Sequence, residues 1–212
     1  MRRLIWVAIA ALVLFLAYKH IYMRPSAVAR GQEIDVSGEP RQTALPSPEV
    51  APVEFDGKSY LLEKHHRYEI EGEVLSIATY NLAFKSEFFD VDLGLIWGPR
   101  LADLKKRYRF NQGGRWLFWS SDGPVSDDER HYITAHISNN HLIPAEGRRN
   151  LFKAVRWPSR GDRVRITGYL VNIKNPSGGI AVASSTSRDD SGAGACEVIW
   201  VDEIQINSAV YR

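Results

Sequence analysis

The chain has 212 residues, 44% hydrophobic, 25% charged and 11% aromatic, with a formal net charge of +2. That length suits one ordinary domain plus an appendage, and the composition excludes collagen-like, wholly disordered and multi-span membrane chains. Cys196 is the only cysteine, which rules out an intramolecular disulfide framework and a multi-cysteine zinc or iron–sulfur site.

The positive excess lies at the amino-terminal end. Arg2, Arg3, Lys19, Arg24, Arg30 and Arg41 outnumber Glu33, Asp35, Glu39 and Glu49 there, whereas residues 52–212 hold 21 basic and 21 acidic residues. A domain that neutralises phosphates carries a basic footprint of its own, so a neutral globular part argues against nucleic acid as a partner.

The first element in chain order is an uncharged run, LIWVAIAALVLFLAY, from Leu4 to Tyr18. As a helix it would reach only about 22 Å. Extended to Met23, with Lys19 and His20 snorkelling to the interface, it reaches roughly 30 Å and spans a bilayer. Trp6, Tyr18 and Tyr22 suit the interfacial aromatic belts. A cleaved signal peptide with Ala27-Val28-Ala29 as its processing site fits less well, because that site stands about a dozen residues past the apolar run. The expectation is a transmembrane signal anchor over residues 1–23 that meets the membrane through residues 4–23. Basic residues flank both ends almost equally, so orientation rests on reading the segment as an uncut export signal, which puts residues 24–212 outside the cytoplasm.

Residues 24–53 contain Pro25, Pro40, Pro46, Pro48 and Pro52 with no sustained apolar period, and are expected to form an extended tether. Residues 54–212 read as a β-rich globular domain. Val91, Leu93, Leu95 and Trp97 alternate with Asp92, Gly94 and Ile96, the period of a half-buried strand. HYITAHIS, residues 131–138, also alternates and is expected to be a strand. YEIEGEVLS (68–76) and VRITGYLVN (164–172) each place a glycine, Gly72 or Gly168, inside a strand pattern, the device by which short barrels turn corners. Helices are expected from Pro99 up to the stretch Asn111-Gln112-Gly113-Gly114 and from about Ala145 to Arg156, the second stopped by Pro158. The outline is mainly β with one or two helices, a small antiparallel, OB-like, partly open barrel behind the transmembrane helix.

The polar text of greatest interest is Ser138-Asn139-Asn140-His141 and the stretch Thr186 to Glu197 that contains Arg188, Asp189, Asp190 and Cys196. His131, His136 and His141 suggest a metal site, but five-residue spacing on a strand sends His131 and His136 to opposite faces. No metal site is assigned, and no motif calls for a cofactor. Cys196 with an upstream imidazole, His136 or His141, makes a possible thiol nucleophile; the competing reading is a small buried cysteine entering a strand. Asn139, Asn140, His141, Arg188, Asp189 and Asp190 are the candidate ligand-binding residues, and the two polar stretches are expected to meet at one end of the barrel. The five tryptophans Trp97, Trp116, Trp119, Trp157 and Trp200 offer stacking surfaces, at least half of them expected in the core.

The combination of SNNHL (138–142), GYLV (168–171) and SRDDSGAGACE (187–197) ahead of VIWVDE resembles an uncharacterised family of bacterial proteins that carry one amino-terminal transmembrane helix. The resemblance covers most of residues 68–206 and implies the same anchored layout, a single-pass protein of the bacterial inner membrane with its domain in the periplasm. It carries no activity with it. SGAGACE is also similar to the stretch around the nucleophile of periplasmic L,D-transpeptidases, but those enzymes follow the cysteine with an apolar residue and arginine, where this chain has Glu197, and keep their histidine nearer in sequence. The first expected function is a membrane-tethered, extracytoplasmic binding or assembly module whose partner is an envelope protein or a polar small molecule. The alternative is a cell-envelope hydrolase or transpeptidase that uses Cys196 with His136 or His141.

Overall fold

The computed structural model describes residues 21–80, 86–187 and 195–212, together with Ile5–Val7, Ile9, Ala11 and Leu14 near the amino terminus. Most of the expected membrane helix over residues 4–23 lies outside the described residues, and among the described residues no helix is long and apolar enough to cross a membrane.

The chain is mainly β. Its strands are β1 (Ala29–Arg30), β2 (Arg41–Phe55), β3 (Lys58–Thr79), β4 (Val91–Ile96), β5 (Tyr108–Gly113), β6 (Trp116–Ser121), β7 (Ile137–Pro144), β8 (Arg163–Lys174), β9 (Ile180–Val182), β10 (Glu197–Ile206) and β11 (Ala209–Tyr211), and three short helices interrupt them: α1 (Leu101–Arg107), α2 (Asp127–Ala135) and α3 (Arg149–Ala154). β3 pairs antiparallel with β4, β4 with β7, and β8 with both β3 and β10, while β7 and β10 pair in parallel. The sheet thus curls into a partly closed barrel of five strands. The barrel was expected to be wholly antiparallel. The parallel β7–β10 pair corrects this, and it arises because α3 and β8 intervene as the crossover that a parallel pair requires.

The two strand glycines permit the curl. A Cβ on Gly168 would stand 2.0 Å from the carbonyl oxygen of Trp200, and one on Gly72 would stand 3.1 Å from that of Ile96. At Gly168 no side chain fits, because the neighbouring backbone occupies its place.

Leu93, Leu142, Ile166, Leu170 and Ile199 belong to the barrel's hydrophobic cluster, each buried residue of this kind contributing about 1.5–3 kcal/mol. A second cluster of Leu75, Ile96, Leu104, Tyr108, Phe110 and Ile133 packs outside the barrel wall, under α1, α2 and the β5–β6 hairpin. This outer layer explains why all six residues of β4 are buried, where the alternating pattern suggested one wet face.

Three further segments differ from expectation. The region expected as a tether, residues 24–53, pairs with the domain: Ala29–Arg30 with β11, and Arg41 onward with β3. Its prolines are tolerated because β2 is an edge strand, and Pro46 and Pro48 fall in the register break between Ala44 and Glu49. Residues 131–135 are the end of helix α2, not strand, because Ser126 caps the helix by accepting from Glu129 N and three acidic residues fill the first turn. Ser138 to His141, expected at one end of the barrel, lie within strand β7. Of the tryptophans, Trp97 and Trp200 are buried and Trp116 is exposed.

Candidate functional site

β4, β7 and β10 lie side by side, and their outward face carries an unusual set of side chains. Asp92 stands directly opposite His141 across the antiparallel β4–β7 ladder. Asn140 aligns with Glu197 in the parallel β7–β10 ladder, which brings Cys196, one residue before β10, level with Asn139. Because side chains alternate along a strand, Asp92, Asn139, His141 and Cys196 share one face.

These groups are hydrogen-bonded in sequence. His141 Nδ1 donates to Asp92 Oδ1 at 2.5 Å, and Tyr80 OH donates to Asp92 Oδ2, so both carboxylate oxygens of a fully buried aspartate are satisfied. With Nδ1 committed to Asp92, Nε2 is the nitrogen left for Cys196, whose sulfur lies close enough to act on the imidazole. Phe89 stacks on the imidazole with ring centroids 4.5 Å apart and planes 14° apart, which fixes its orientation. Burial pulls the His141 imidazole down, but the hydrogen bonds and charges of Asp92 and Cys196 override it and push the group up to about 9. Burial, then the Asp92 carboxylate, push the Tyr80 phenol well above its usual value, which keeps it a donor. Cys196 itself is only partly buried.

A second chain of hydrogen bonds approaches the sulfur from the β5–β6 hairpin. Ser76 Oγ donates to Gln112 Oε1 at 3.2 Å, Gln112 Nε2 donates to Asn139 Oδ1, and Asn139 Nδ2 donates to Arg115 O at 2.8 Å and toward Cys196 Sγ at 3.5 Å. An amide pinned at its oxygen and at one hydrogen has only its other hydrogen free to aim at the thiol.

Of the residues singled out in the sequence, Cys196, His141 and Asn139 come together here. His136 does not: it closes α2, with Nδ1 on Tyr132 O at 2.8 Å and its ring stacked on Tyr132. Asn140 turns to the opposite side of β7, where it is fully buried and donates to Leu93 O and Ser138 Oγ; it braces the strand. Arg188, Asp189 and Asp190 lie outside the described residues. Asp92, Tyr80, Phe89, Gln112 and Arg115 were not anticipated, and the only sequence signal for any of them was an aspartate within the apolar run of β4. Among the described residues no group of three or more His, Cys, Asp or Glu side chains could hold a metal ion.

A nucleophile, a base and a carboxylate that orients the base are the parts of a covalent acyl-transfer site. Comparison with protein-family models, with curated proteins and with solved structures gives no match.

Proposed function

We propose that the protein is a membrane-tethered thiol acyl-transfer enzyme, a hydrolase or transpeptidase working outside the cytoplasm, with Cys196 as nucleophile, His141 as general acid–base and Asp92 as its orienting carboxylate. The observation that carries this reading is the buried Asp92–His141 hydrogen bond with Cys196 beside it, in which the carboxylate orients the imidazole and raises its proton affinity. The thiol proton rests on His141, as the raised proton affinity of the imidazole favours; Sγ, as thiolate, forms a bond to the substrate's carbonyl carbon, and the leaving group departs with the proton that His141 gives up, which leaves the imidazole neutral. Water or an amine, deprotonated by His141, then releases the acyl group from sulfur. Asn139 Nδ2, which aims one hydrogen at Sγ in the free protein, is the side-chain donor assigned to the oxygen that becomes negative in each addition step.

The barrel's pairing order, with α3 between its third and fourth strands, supports an OB-like reading. In such barrels the second and third strands and their flanking loops form the binding face; β4 and β7 hold those places here. The apolar run at residues 4–23 supports the tether and the periplasmic location, which an active alkaline phosphatase fused to the carboxyl terminus would uphold and a fluorescent cytoplasmic fusion would reject. A second, non-enzymatic reading as a binding or assembly module draws on one cavity, of about 570 Å³, lined among others by Phe55, Arg148, Phe152 and Trp200.

The test is single-turnover reaction with p-nitrophenyl acetate followed by mass analysis. The expected result is a stoichiometric acetyl group on Cys196, with acylation slowed about a hundredfold or more in His141→Gln. Acylation no faster than that of the unfolded chain, or indifferent to His141→Gln, overturns the enzymatic reading.

A further inference from the structure

The β5–β6 hairpin closes through Gly114 and Arg115, with Gly113 paired to Trp116. Both turn residues have positive φ, 56° and 71°, the signature of a type I′ turn that favours glycine or asparagine at each position. Arginine at the second costs roughly 1 kcal/mol or more against glycine, so its retention needs a compensating use. Two contacts show what the turn delivers. The Arg115 carbonyl accepts from Asn139 Nδ2, the same amide that points at Cys196 Sγ. The Arg115 guanidinium lies over Phe89, 4.7 Å from the ring centroid, and Phe89 in turn stacks on His141. The cation is thus one ring beyond the imidazole, exposed to solvent, and among the described residues no carboxylate pairs with it.

We propose that Arg115 is the specificity determinant of the Cys196 site, and that it selects acyl substrates bearing a negatively charged group, a carboxylate foremost, close to the reacting carbonyl. This rests on the nucleophile reading above. A guanidinium placed over an aromatic face has N–H groups to offer an anion, and a carboxylate matches them with two parallel hydrogen bonds. The turn fastens this cation to the amide beside the sulfur, so recognition of the anion and placement of the carbonyl are set by one rigid element.

The single cysteine allows a direct test on the full chain with two probes of nearly equal shape, anionic iodoacetate and neutral iodoacetamide. The reading out is the ratio of their alkylation rates at Cys196. In Arg115→Gly, which relaxes the positive-φ position and so folds at least as well, the iodoacetate-to-iodoacetamide ratio is expected to fall about fivefold, and salt should erode the wild-type ratio. Arg115→Lys should keep part of it. Arg109→Ala, on the same hairpin but paired with Asp122, controls for general charge and should leave the ratio intact. A ratio unchanged by Arg115→Gly, or lowered equally by Arg109→Ala, overturns the subsite. Failure of the nucleophile reading looks different: iodoacetamide would then react no faster with the wild-type protein than with Asp92→Asn.

Discussion

The two faces of β4, β7 and β10 are built by different rules. Inward, Leu93, Leu142 and Ile199 meet other hydrocarbon in the barrel, and any side chain of similar size and polarity would serve the fold. Outward, on the same backbone, an aspartate, a histidine and an asparagine are buried beside the partly buried Cys196, with Phe89 stacked on the histidine and the β5–β6 hairpin bonded to the asparagine. Burying that set costs desolvation which an apolar set would avoid, and a buried ion pair is weak evidence for stability. The contrast teaches that the inner face holds the fold and the outer face is kept for its chemistry.

The comparison is broken most sharply from the inner side. Leu142→Ala removes a fully buried side chain and should cost about 4 kcal/mol of unfolding free energy by urea titration. The iodoacetamide rate at Cys196, measured where the variant remains folded, should match wild type. A lowered rate would mean that the outer face depends on inner packing, and the two-rule reading would fail.

On the outer face the sign and pH window differ. His141 binds its proton more tightly in the folded chain, pushed up to about 9 from the ordinary 6.5. It therefore adds stability that is full below pH 6.5 and is lost as pH rises through 9. Asp92→Asn removes the main charge behind this shift and should cost about 3 kcal/mol at pH 7, shrinking toward nothing near pH 9. Its iodoacetamide rate should fall about a hundredfold at pH 7. Equal destabilisation at pH 7 and pH 9 would show that Asp92 acts only through packing.

How much of this was legible in the sequence differs between the same two faces. The glycine-marked strands around Gly72 and Gly168 and the helix after Pro99 follow from local rules, and so did the interest of Asn139, His141 and Cys196. The Asp92–His141 pairing did not, because it is a register across 49 residues that no local pattern encodes. Asp92 read as the wet side of a strand, whereas Tyr80 and His141 bond to it and it is fully buried. His136 and Asn140 were grouped with His141 because they are close in sequence, yet strand alternation and the end of α2 send them elsewhere. The prolines of residues 24–53 suggested a tether because composition does not report that an edge strand tolerates proline.

The smallest expected effect tests whether the outer layer itself divides into scaffold and site. Residues 131–138 alternate like a strand, but the cap at Ser126 starts a helix that runs through Ala135. Ser126 Oγ accepts from Glu129 N at 3.3 Å, satisfying one of the amides that an α-helix leaves open at its start. Ser126→Ala should therefore cost about 1 kcal/mol, seen as a lowered Tm, while Ser126→Asp should restore it through the same acceptor role. α2 presses Ile133 into the outer cluster with Leu75 and Ile96, and Ile96 shares β4 with Asp92. If that strand transmits nothing along its length, the iodoacetamide rate at Cys196 stays at the wild-type value in Ser126→Ala. A slowed thiol would make the helix part of the site's support, and the boundary between scaffold and chemistry would then run between the barrel and the whole outer layer instead of within it.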